Sequence, residues 1–232
     1  MLTLLTYPAG FGQFSLSAFC VKAACLLQLS GQPWQRQDLS DPRGMPHSKL
    51  PVLKTDQGLI SDSDNIRSWL ESHGADFDPG LTDAQKGQAQ AFIRMAEQDI
   101  YFYLVLDRWG NDAVWPTVRD TLFRGVPWLI RKPVANKLRR TLLKGLQTQG
   151  TGRFTDHERL ERLGRNLTAI RAQLKDTAFL FADVPTSADL SVAPMLASLR
   201  DAPVQSEMAK RVADDIVLSD YVDRLATTVP LP

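Results

Sequence analysis

Three short segments near the start of the chain carry residue types that can hold a small anion. In the first, residues 15–22, Ser17 follows a Gly-rich loop and directly precedes the apolar run Ala18 to Leu29. This pattern predicts a mostly buried helix with Ser17 near its N-cap. Unpaired N–H groups and the positive end of the helix dipole favour an anion there, and a hydroxyl beside them can donate a hydrogen bond to a thiolate.

The free energy needed to hold a thiolate at such a site is modest. An ordinary thiol ionises near pH 8.5, so lowering its pKa by about two units requires roughly 2.7 kcal/mol of preferential thiolate stabilisation. A hydroxyl together with a helix terminus can supply this. Ser17 also has a purely structural interpretation, because serine is a favoured residue at any helix N-cap.

The other two segments have comparable chemistry. Lys49-Leu50-Pro51-Val52 is an X-Pro turn ahead of a strand, and Asp62-Ser63-Asp64-Asn65-Ile66 is a second helix start. A proline is permitted at the start of a strand without any function, and a second N-terminus offers further N–H groups. The sequence therefore predicts that the three segments can hold one small anionic ligand together.

The elements that must position these segments form a βαβ and then a ββα unit. The predicted elements are a strand over 2–7, the helix over 18–29, a strand over 33–39, a surface loop over 41–48, two hairpin strands at 52–55 and 59–60, and a helix over 63–73. This order, within residues 1–75, is the thioredoxin-like arrangement. The predicted fold class is an α/β N-terminal domain followed by an all-α helical bundle.

After a linker over 74–81, the pattern becomes helical from 82 to 232. Capping boxes open helices at Thr82 and Thr155, and Asp189 is placed to return a hydrogen bond to a cap at Thr186. Apolar residues then recur at steps of three and four, as in an all-helical bundle. Pro194 lies inside the last of these patterns and predicts a kink or an early stop.

Composition restricts the function classes. The 232 residues are 44% hydrophobic and 23% charged, with a net charge of +1 that gives no general attraction to nucleic acid. The two cysteines, Cys20 and Cys25, cannot form a disulfide framework, and the N-terminus lacks the features of a signal peptide, so a cytoplasmic location is expected. No apolar run is long enough for a membrane span. The three histidines lack metal-ligand spacing, and no metal is predicted.

The joint order of the motifs carries a resemblance to a known family. Ser-x-Phe-x-x-Lys at residues 17–22, Lys-Leu-Pro-Val at 49–52, Asp-Ser-x-x-Ile at 62–66 and Thr-Ser-Ala-Asp at 186–189 resemble the glutathione S-transferase superfamily. Within it, residues 15–22 with Pro46-His47-Ser48-Lys49-Leu50-Pro51 are similar to the metaxin and failed-axon-connections branch. The resemblance covers nearly the whole chain. It implies that glutathione is a co-substrate and that the chain forms a homodimer, as members of that family usually do.

The resemblance also implies roles for individual residues. Seven positions match the family's glutathione site: Ser17, His47, Lys49, Leu50, Pro51, Asp62 and Ser63. Ser17 matches the residue that faces the sulfur, and Leu50 precedes a cis-proline and pairs its backbone with the cysteinyl part. Asp62 and Ser63 match the pair that holds the γ-glutamyl group. His47 and Lys49 are candidates for the glycyl carboxylate.

Some positions depart from the family pattern or leave alternatives open. Ala18 stands where a proline is common, and the loop before Ser17 is long, so Ser15, Tyr7 or Cys20 can also be considered as the group that contacts the sulfur. With serine first in the Ser-x-x-Cys pair, dithiol redox chemistry is excluded. The second-substrate pocket is predicted to include Tyr7, Tyr101, Arg108 and Trp109.

A basic segment allows a second interpretation of the whole chain. Residues 124–153 carry eight Lys or Arg residues and no acidic residue, with apolar residues between them. This segment can contact an anionic membrane surface or a partner, although charge runs are more often solvated faces. The first prediction is a serine-type glutathione transferase acting on a small apolar electrophile. The alternative is a non-catalytic, metaxin-like binding protein that acts at a membrane surface or on a protein partner.

Overall fold

The structure, a computed structural model, describes all residues from 1 to 232. Its first part contains four strands and two helices. These are β1 (Leu2–Thr6), α1 (Ala18–Leu29), β2 (Trp34–Asp38), β3 (Val52–Thr55), β4 (Gly58–Ser61) and α2 (Ser63–Ser72). The predicted βαβ and ββα order is confirmed, and the bounds of α1 are those expected from the apolar run.

The four strands form one mixed sheet in the order β2-β1-β3-β4. β1 runs parallel to β2 and antiparallel to β3, and β3 and β4 form an antiparallel hairpin. Leu5 near the end of β1 pairs with Val52 at the start of β3, which in turn pairs with Ser61 at the end of β4. The loop after β1, the turn before β3 and the start of α2 therefore meet at one end of the sheet.

The second part of the chain is entirely helical. Its helices are α3 (Asp83–Met95), α4 (Tyr101–Gly110), α5 (Trp115–Leu122), α6 (Trp128–Gln149), α7 (Asp156–Gln173), α8 (Ser187–Arg200), α9 (Glu207–Ala213) and α10 (Ile216–Thr228). One π-helical turn, Ala96–Ile100, joins α3 to α4. None of these helices combines the length and the apolar character that a membrane span requires.

The predicted capping interactions are present. Thr82 and Gln85 form a reciprocal capping box, as do Thr155 and Glu158. The carboxylate of Asp189 accepts hydrogen bonds from both the N–H and the hydroxyl of Thr186. These contacts satisfy N–H groups that have no partner inside their helices.

The early stop predicted at Pro194 does not occur, because α8 continues to Arg200. A proline inside a helix costs about 3 kcal/mol through its missing hydrogen bond. Every residue of α8 from Ser187 to Leu199 is buried, and large apolar side chains such as Met195, Leu196 and Leu199 each contribute about 1.5–3 kcal/mol on burial. Burial of the last turns therefore outweighs the cost of the proline.

The core is continuous from the sheet into the helical part. α1 packs between the sheet and α8, which explains why nine of its residues are buried and why its apolar run is nearly unbroken. Its one charged residue, Lys22, is 1% exposed and donates to Asp64 of α2 at 2.6 Å and to Glu97 of the π-helical turn at 2.5 Å. A buried cation requires such partners, so this network fixes α1 and α2 against the helical part.

Candidate functional site

The candidate site lies at the end of the sheet where the three segments converge. The backbone N–H of Asp62, just before α2, donates to the carbonyl of Pro51, just before β3, at 3.2 Å. Lys22 of α1 contacts Asp64 in the first turn of α2. The starts of α1 and α2 and the turn before β3 are thereby held together, as the sequence predicts.

The start of α1 presents unused hydrogen-bond donors. Ser17 occupies the N-cap position with extended backbone angles, but its side chain accepts no capping hydrogen bond. The backbone N–H groups of Ala18 and Phe19 donate to no acceptor within the chain. A hydroxyl, two N–H groups and the positive end of the helix dipole are thus available to an anion at this point.

The Ser15 side chain, unlike that of Ser17, forms hydrogen bonds that hold the chain before α1. It is buried, donates its hydroxyl hydrogen to the Tyr7 carbonyl at 3.0 Å, and accepts from the Thr6 hydroxyl and from the Ser17 N–H. A serine hydroxyl has one hydrogen to donate. The Ser15 hydroxyl therefore has no donor left for a ligand.

The Cys20 thiol is buried next to these hydroxyl groups. Burial raises the pKa of its thiol, and the polar groups of Thr6, Tyr7, Ser17 and Ser15 around it lower that pKa only in part. The residue has no exposed surface. Cys20 therefore remains a protonated core thiol and is not placed to act as a nucleophile.

Tyr7 directly follows β1, and Tyr101 is the first residue of α4 and lies near Tyr7. Burial raises the pKa of Tyr7 to about 12, with further contributions from the nearby Cys20 and Tyr101. Tyr101 packs edge-on against Phe19 of α1, with 4.8 Å between ring centroids. Both rings are partly exposed, and neither hydroxyl has a partner within the chain. Tyr7 thus remains, with Ser17, an available hydroxyl donor.

The Leu50–Pro51 peptide bond is cis, as the resemblance implies. The Leu50 side chain is buried against Leu5, Cys20 and Val52, whereas its backbone N–H and C=O form no hydrogen bond within the chain. A free donor and a free acceptor on one extended residue can pair with the backbone of a peptide-like ligand, as an added strand pairs with a sheet edge.

Asp62 and Ser63 form the start of α2. Asp62 has a φ of 79°, in the left-handed region that favours glycine, and its carboxylate accepts from the Asp64 N–H at 2.8 Å. The Ser63 residue is buried, and neither its N–H nor its hydroxyl has a partner within the chain. These two donors, at the positive end of α2, are suited to a carboxylate.

His47 and Lys49 are less closely tied to the site. Both lie on the loop between β2 and β3, both are exposed, and neither side chain forms a hydrogen bond or ion pair within the chain. His47 has a φ of 57°. Their assignment to the glycyl carboxylate stays a prediction.

Arg108 lies beneath the site. It donates to the carbonyl of Leu16, directly before Ser17, at 2.9 Å and to the carbonyl of Ser198 at 3.1 Å. No carboxylate pairs with it, its Nε has no partner, and burial lowers the pKa of its guanidinium to about 10. The guanidinium holds the loop before α1 in place and adds positive potential below Ser17.

Trp109 has different surroundings. Its ring packs against Trp115 at 5.1 Å and Phe123 at 6.3 Å between centroids, in a separate aromatic cluster under α5 and α6. Trp109 also packs, as Tyr101 does, against Val105, Leu106 and Leu146, and these are all core contacts. Its role in a second-substrate pocket stays a prediction.

The residues that sequence reasoning missed are those of the ion network below the two helix starts. Burial works to raise the pKa of Asp64, but the charges and hydrogen bonds of Lys22 and Arg94 outweigh it and hold the pKa below its ordinary range. Glu97 joins the network to α8 through the Ser191 hydroxyl at 3.1 Å. The available signal was Lys22 itself, a lone charge in an apolar helix, which requires a buried partner.

Comparison with known proteins identifies related families. Residues 18–115 match the model described as glutathione S-transferase N-terminal domain, and residues 156–224 match that of the glutathione S-transferase C-terminal domain. The first match begins one residue after Ser17.

Two curated proteins illustrate the two branches of similarity. The chain is 28% identical over 232 residues to isoprene-epoxide–glutathione S-transferase of Rhodococcus sp. (strain AD45), covering 97% of this chain and 98% of that protein. It is also 27% identical over 215 residues to metaxin-1 of Homo sapiens, covering 88% of this chain and 46% of that protein.

Solved structures share the fold. Glutathione transferase GSTFuA3 from Phanerochaete chrysosporium superposes with a TM-score of 0.63 at 19% identity, covering 98% of this chain and 96% of that one. A glutathione S-transferase of Ceriporiopsis subvermispora in complex with glutathione gives a TM-score of 0.64 at 16% identity, covering 100% and 98%.

Proposed function

The chain belongs to the glutathione S-transferase superfamily, and from that premise we propose that it adds glutathione to a small apolar epoxide, with the Ser17 hydroxyl holding the thiolate. The epoxide is suggested by the name of the Rhodococcus relative, which matches this chain over nearly its full length. Residues 1–75 would bind glutathione, and residues 82–232 would shape the pocket for the electrophile.

The observation that carries the proposal is the set of unused donors at two adjacent helix starts. The Ser17 hydroxyl and the Ala18 and Phe19 N–H groups have no acceptor in the chain, and the same holds for both donors of Ser63. Glutathione offers a thiolate and a γ-glutamyl carboxylate, with a peptide backbone between them. The free backbone groups of Leu50 suit that backbone.

The proposed reaction balances without any further reactant. The thiol of bound glutathione releases its proton, the sulfur attacks one epoxide carbon, and a C–S bond forms while the C–O bond on that carbon breaks. The oxygen then takes up one proton, which gives a β-hydroxy thioether as the sole product. The protein binds and orients both reactants and stabilises the charge on the sulfur.

Tyr7 is suited to the proton that the epoxide oxygen needs. Its pKa of about 12 keeps the phenol protonated at neutral pH. The alcohol formed from the epoxide oxygen is a weaker acid than this phenol, because its pKa is close to that of water, at about 15.7. Proton transfer from the Tyr7 phenol to the oxygen of the opening epoxide is therefore favourable. Ser17 would then stabilise the thiolate of glutathione, and Tyr7 would protonate the epoxide oxygen.

The test is product formation from reduced glutathione and a small epoxide. The proposal expects a single adduct whose mass is the sum of the two reactants, formed faster than without protein. Ser17→Ala is expected to slow formation strongly, whereas Ser30→Ala, at the other end of α1, is expected to have no effect. Adduct formation at the uncatalysed rate with several epoxides would overturn the proposal.

The alternative function is a non-catalytic binding protein of the metaxin type. The similarity to metaxin-1 favours it, and so does a helix with an exposed basic and apolar surface, α6. Failure to bind glutathione would favour this alternative over the transferase. A homodimer and a cytoplasmic location stay predictions, the first tested by sedimentation and the second by imaging a tagged chain.

A further inference from the structure

Helix α6 exposes an unusual amount of apolar surface. Of its 22 residues only Ala135 and Leu146 are buried. Five large apolar side chains on this helix are exposed: Trp128, Leu129, Ile130, Val134 and Leu138. Trp128 and Leu129 are 76% and 71% exposed, which is far more than packing within the chain would leave.

The structure separates the cations of this segment into two groups. Arg131, Arg139 and Arg153 are tied to the chain, donating respectively to the Val126, Trp109 and Gln147 carbonyls. The other five are exposed and form no hydrogen bond or ion pair: Arg124, Lys132, Lys137, Arg140 and Lys144. No Asp or Glu occurs between Thr121 and Thr155 to neutralise them.

Three of the free cations and three of the exposed apolar side chains form two neighbouring stripes along α6. Ile130, Val134 and Leu138 follow each other at steps of four and form one stripe. Lys137, Arg140 and Lys144 follow at steps of three and four and form a second stripe beside it. The basic stripe lies opposite the side on which Ala135 and Leu146 pack against the protein, and the apolar stripe runs between these two sides.

We propose that the outer side of α6, defined by the two stripes, binds to an anionic lipid surface together with Trp128 and Leu129, which are exposed at the helix start. Such a surface offers a layer of negative headgroups to the basic stripe and an acyl boundary to the apolar stripe. Tryptophan is enriched where lipid headgroups meet the acyl chains, and Trp128 is exposed at the start of α6. This binding is independent of the proposed transferase reaction.

A lipid surface fits these observations better than a second copy of the chain. In a symmetric pair, α6 would bring its uncompensated cations close to those of the same helix in the partner, and like charges repel.

The test is co-sedimentation of the full chain with vesicles of phosphatidylcholine mixed with phosphatidylserine, compared with phosphatidylcholine alone. Binding is expected with the anionic vesicles and is expected to be lost at high salt. Since each Lys or Arg near such a surface strengthens binding about fivefold, the triple variant Lys137→Glu, Arg140→Glu, Lys144→Glu should weaken it by about a hundredfold or more.

The matched control reverses three other exposed, unpaired cations, in Lys86→Glu, Lys175→Glu, Arg211→Glu, and changes the net charge equally. It is expected to keep most of the binding. Equal losses in the two triple variants would mean that only net charge matters and would overturn the assignment to α6, as would an absence of binding by the unmodified chain.

A second variant, Leu129→Ser with Ile130→Ser, tests the apolar contribution and is expected to weaken vesicle binding about tenfold. Sedimentation velocity of the same variant tests whether a second copy of the chain, rather than a lipid surface, covers this side of α6. If the variant dissociates a dimer of the unmodified chain and leaves vesicle binding unchanged, this side of α6 is an interface between copies and the proposal is wrong.

Discussion

Replacing Ser17 by alanine removes one hydrogen-bond donor from the start of α1 and changes little else. The Ser17 side chain caps no N–H group, so the free energy of unfolding should change by less than about 0.5 kcal/mol. A hydrogen bond to a charged group contributes about 1.5–3 kcal/mol. Since one pKa unit corresponds to about 1.4 kcal/mol, Ser17→Ala should raise the pKa of the bound glutathione thiol by about one to two units.

The assay is the pH dependence of kcat/KM for adduct formation. With the bound thiol about two pKa units below 8.5, Ser17→Ala should lower the rate at pH 7 about 3- to 25-fold, in proportion to the lost thiolate. The difference should narrow as the pH rises past the new pKa, because the thiol then ionises without the hydroxyl. The dissociation constant for glutathione should stay nearly constant.

Two further variants make this test specific. Ser30→Ala removes the hydroxyl at the other end of α1, which donates to the Leu27 carbonyl, and should leave the pH profile unchanged. An unchanged thiol pKa in Ser17→Ala would refute the role of Ser17. A raised thiol pKa in Tyr7→Phe would then assign the role to Tyr7, the other free hydroxyl.

Three other variants test separate parts of the account. Ser63→Ala should weaken glutathione binding about tenfold in a calorimetric titration, because it removes a hydrogen bond to a carboxylate, while turnover at saturation stays constant. Asp189→Ala should lower the free energy of unfolding by on the order of 3 kcal/mol or more in chemical denaturation, since it leaves four donors unpaired in a buried position, whereas the exposed Asp220→Ala should have little effect. Burial raises the pKa of Cys25 from its ordinary value of 9.0 to about 12, so between these values the unfolded state binds fewer protons and stability falls as the pH rises. Cys25→Ala should therefore reduce the pH dependence of the free energy of unfolding in this range by up to about 1.4 kcal/mol per pH unit, measured by denaturation at several pH values. The same pH dependence in Cys25→Ala and in the unmodified chain would contradict this prediction.

The sequence predicted the elements well because their signals are local. The apolar run Ala18 to Leu29 and the turn residues around β3 and β4 correspond closely to the observed bounds. The capping boxes at Thr82 and Thr155 depend only on residues three apart, and both are present. Of the two outcomes predicted at Pro194, a kink or an early stop, the early stop does not occur, because the burial that outweighs the local cost of a proline depends on distant residues.

The convergence of the three segments was predictable from the sequence, but the hydrogen bonding of each side chain was not. Ser15 and Ser17 are the same residue type two positions apart, and only the folded chain shows that the Ser15 hydroxyl is committed to the Tyr7 carbonyl. Tyr101 and Trp109 belong to one helix, but the Tyr101 ring packs on Phe19 of α1, whereas the Trp109 ring packs on Trp115. Likewise, a count of cations in residues 124–153 cannot distinguish Arg139, which is tied to the Trp109 carbonyl, from the free Arg140.

The joined starts of α1 and α2 are proposed to form a site for glutathione. A calorimetric titration of the purified, folded chain with reduced glutathione tests this proposal. We expect saturable binding with one site per chain, within the range of glutathione concentrations found in cells. If the folded chain takes up no glutathione, the proposed site is wrong, and the free donors of Ser17 and Ser63 would then need another ligand.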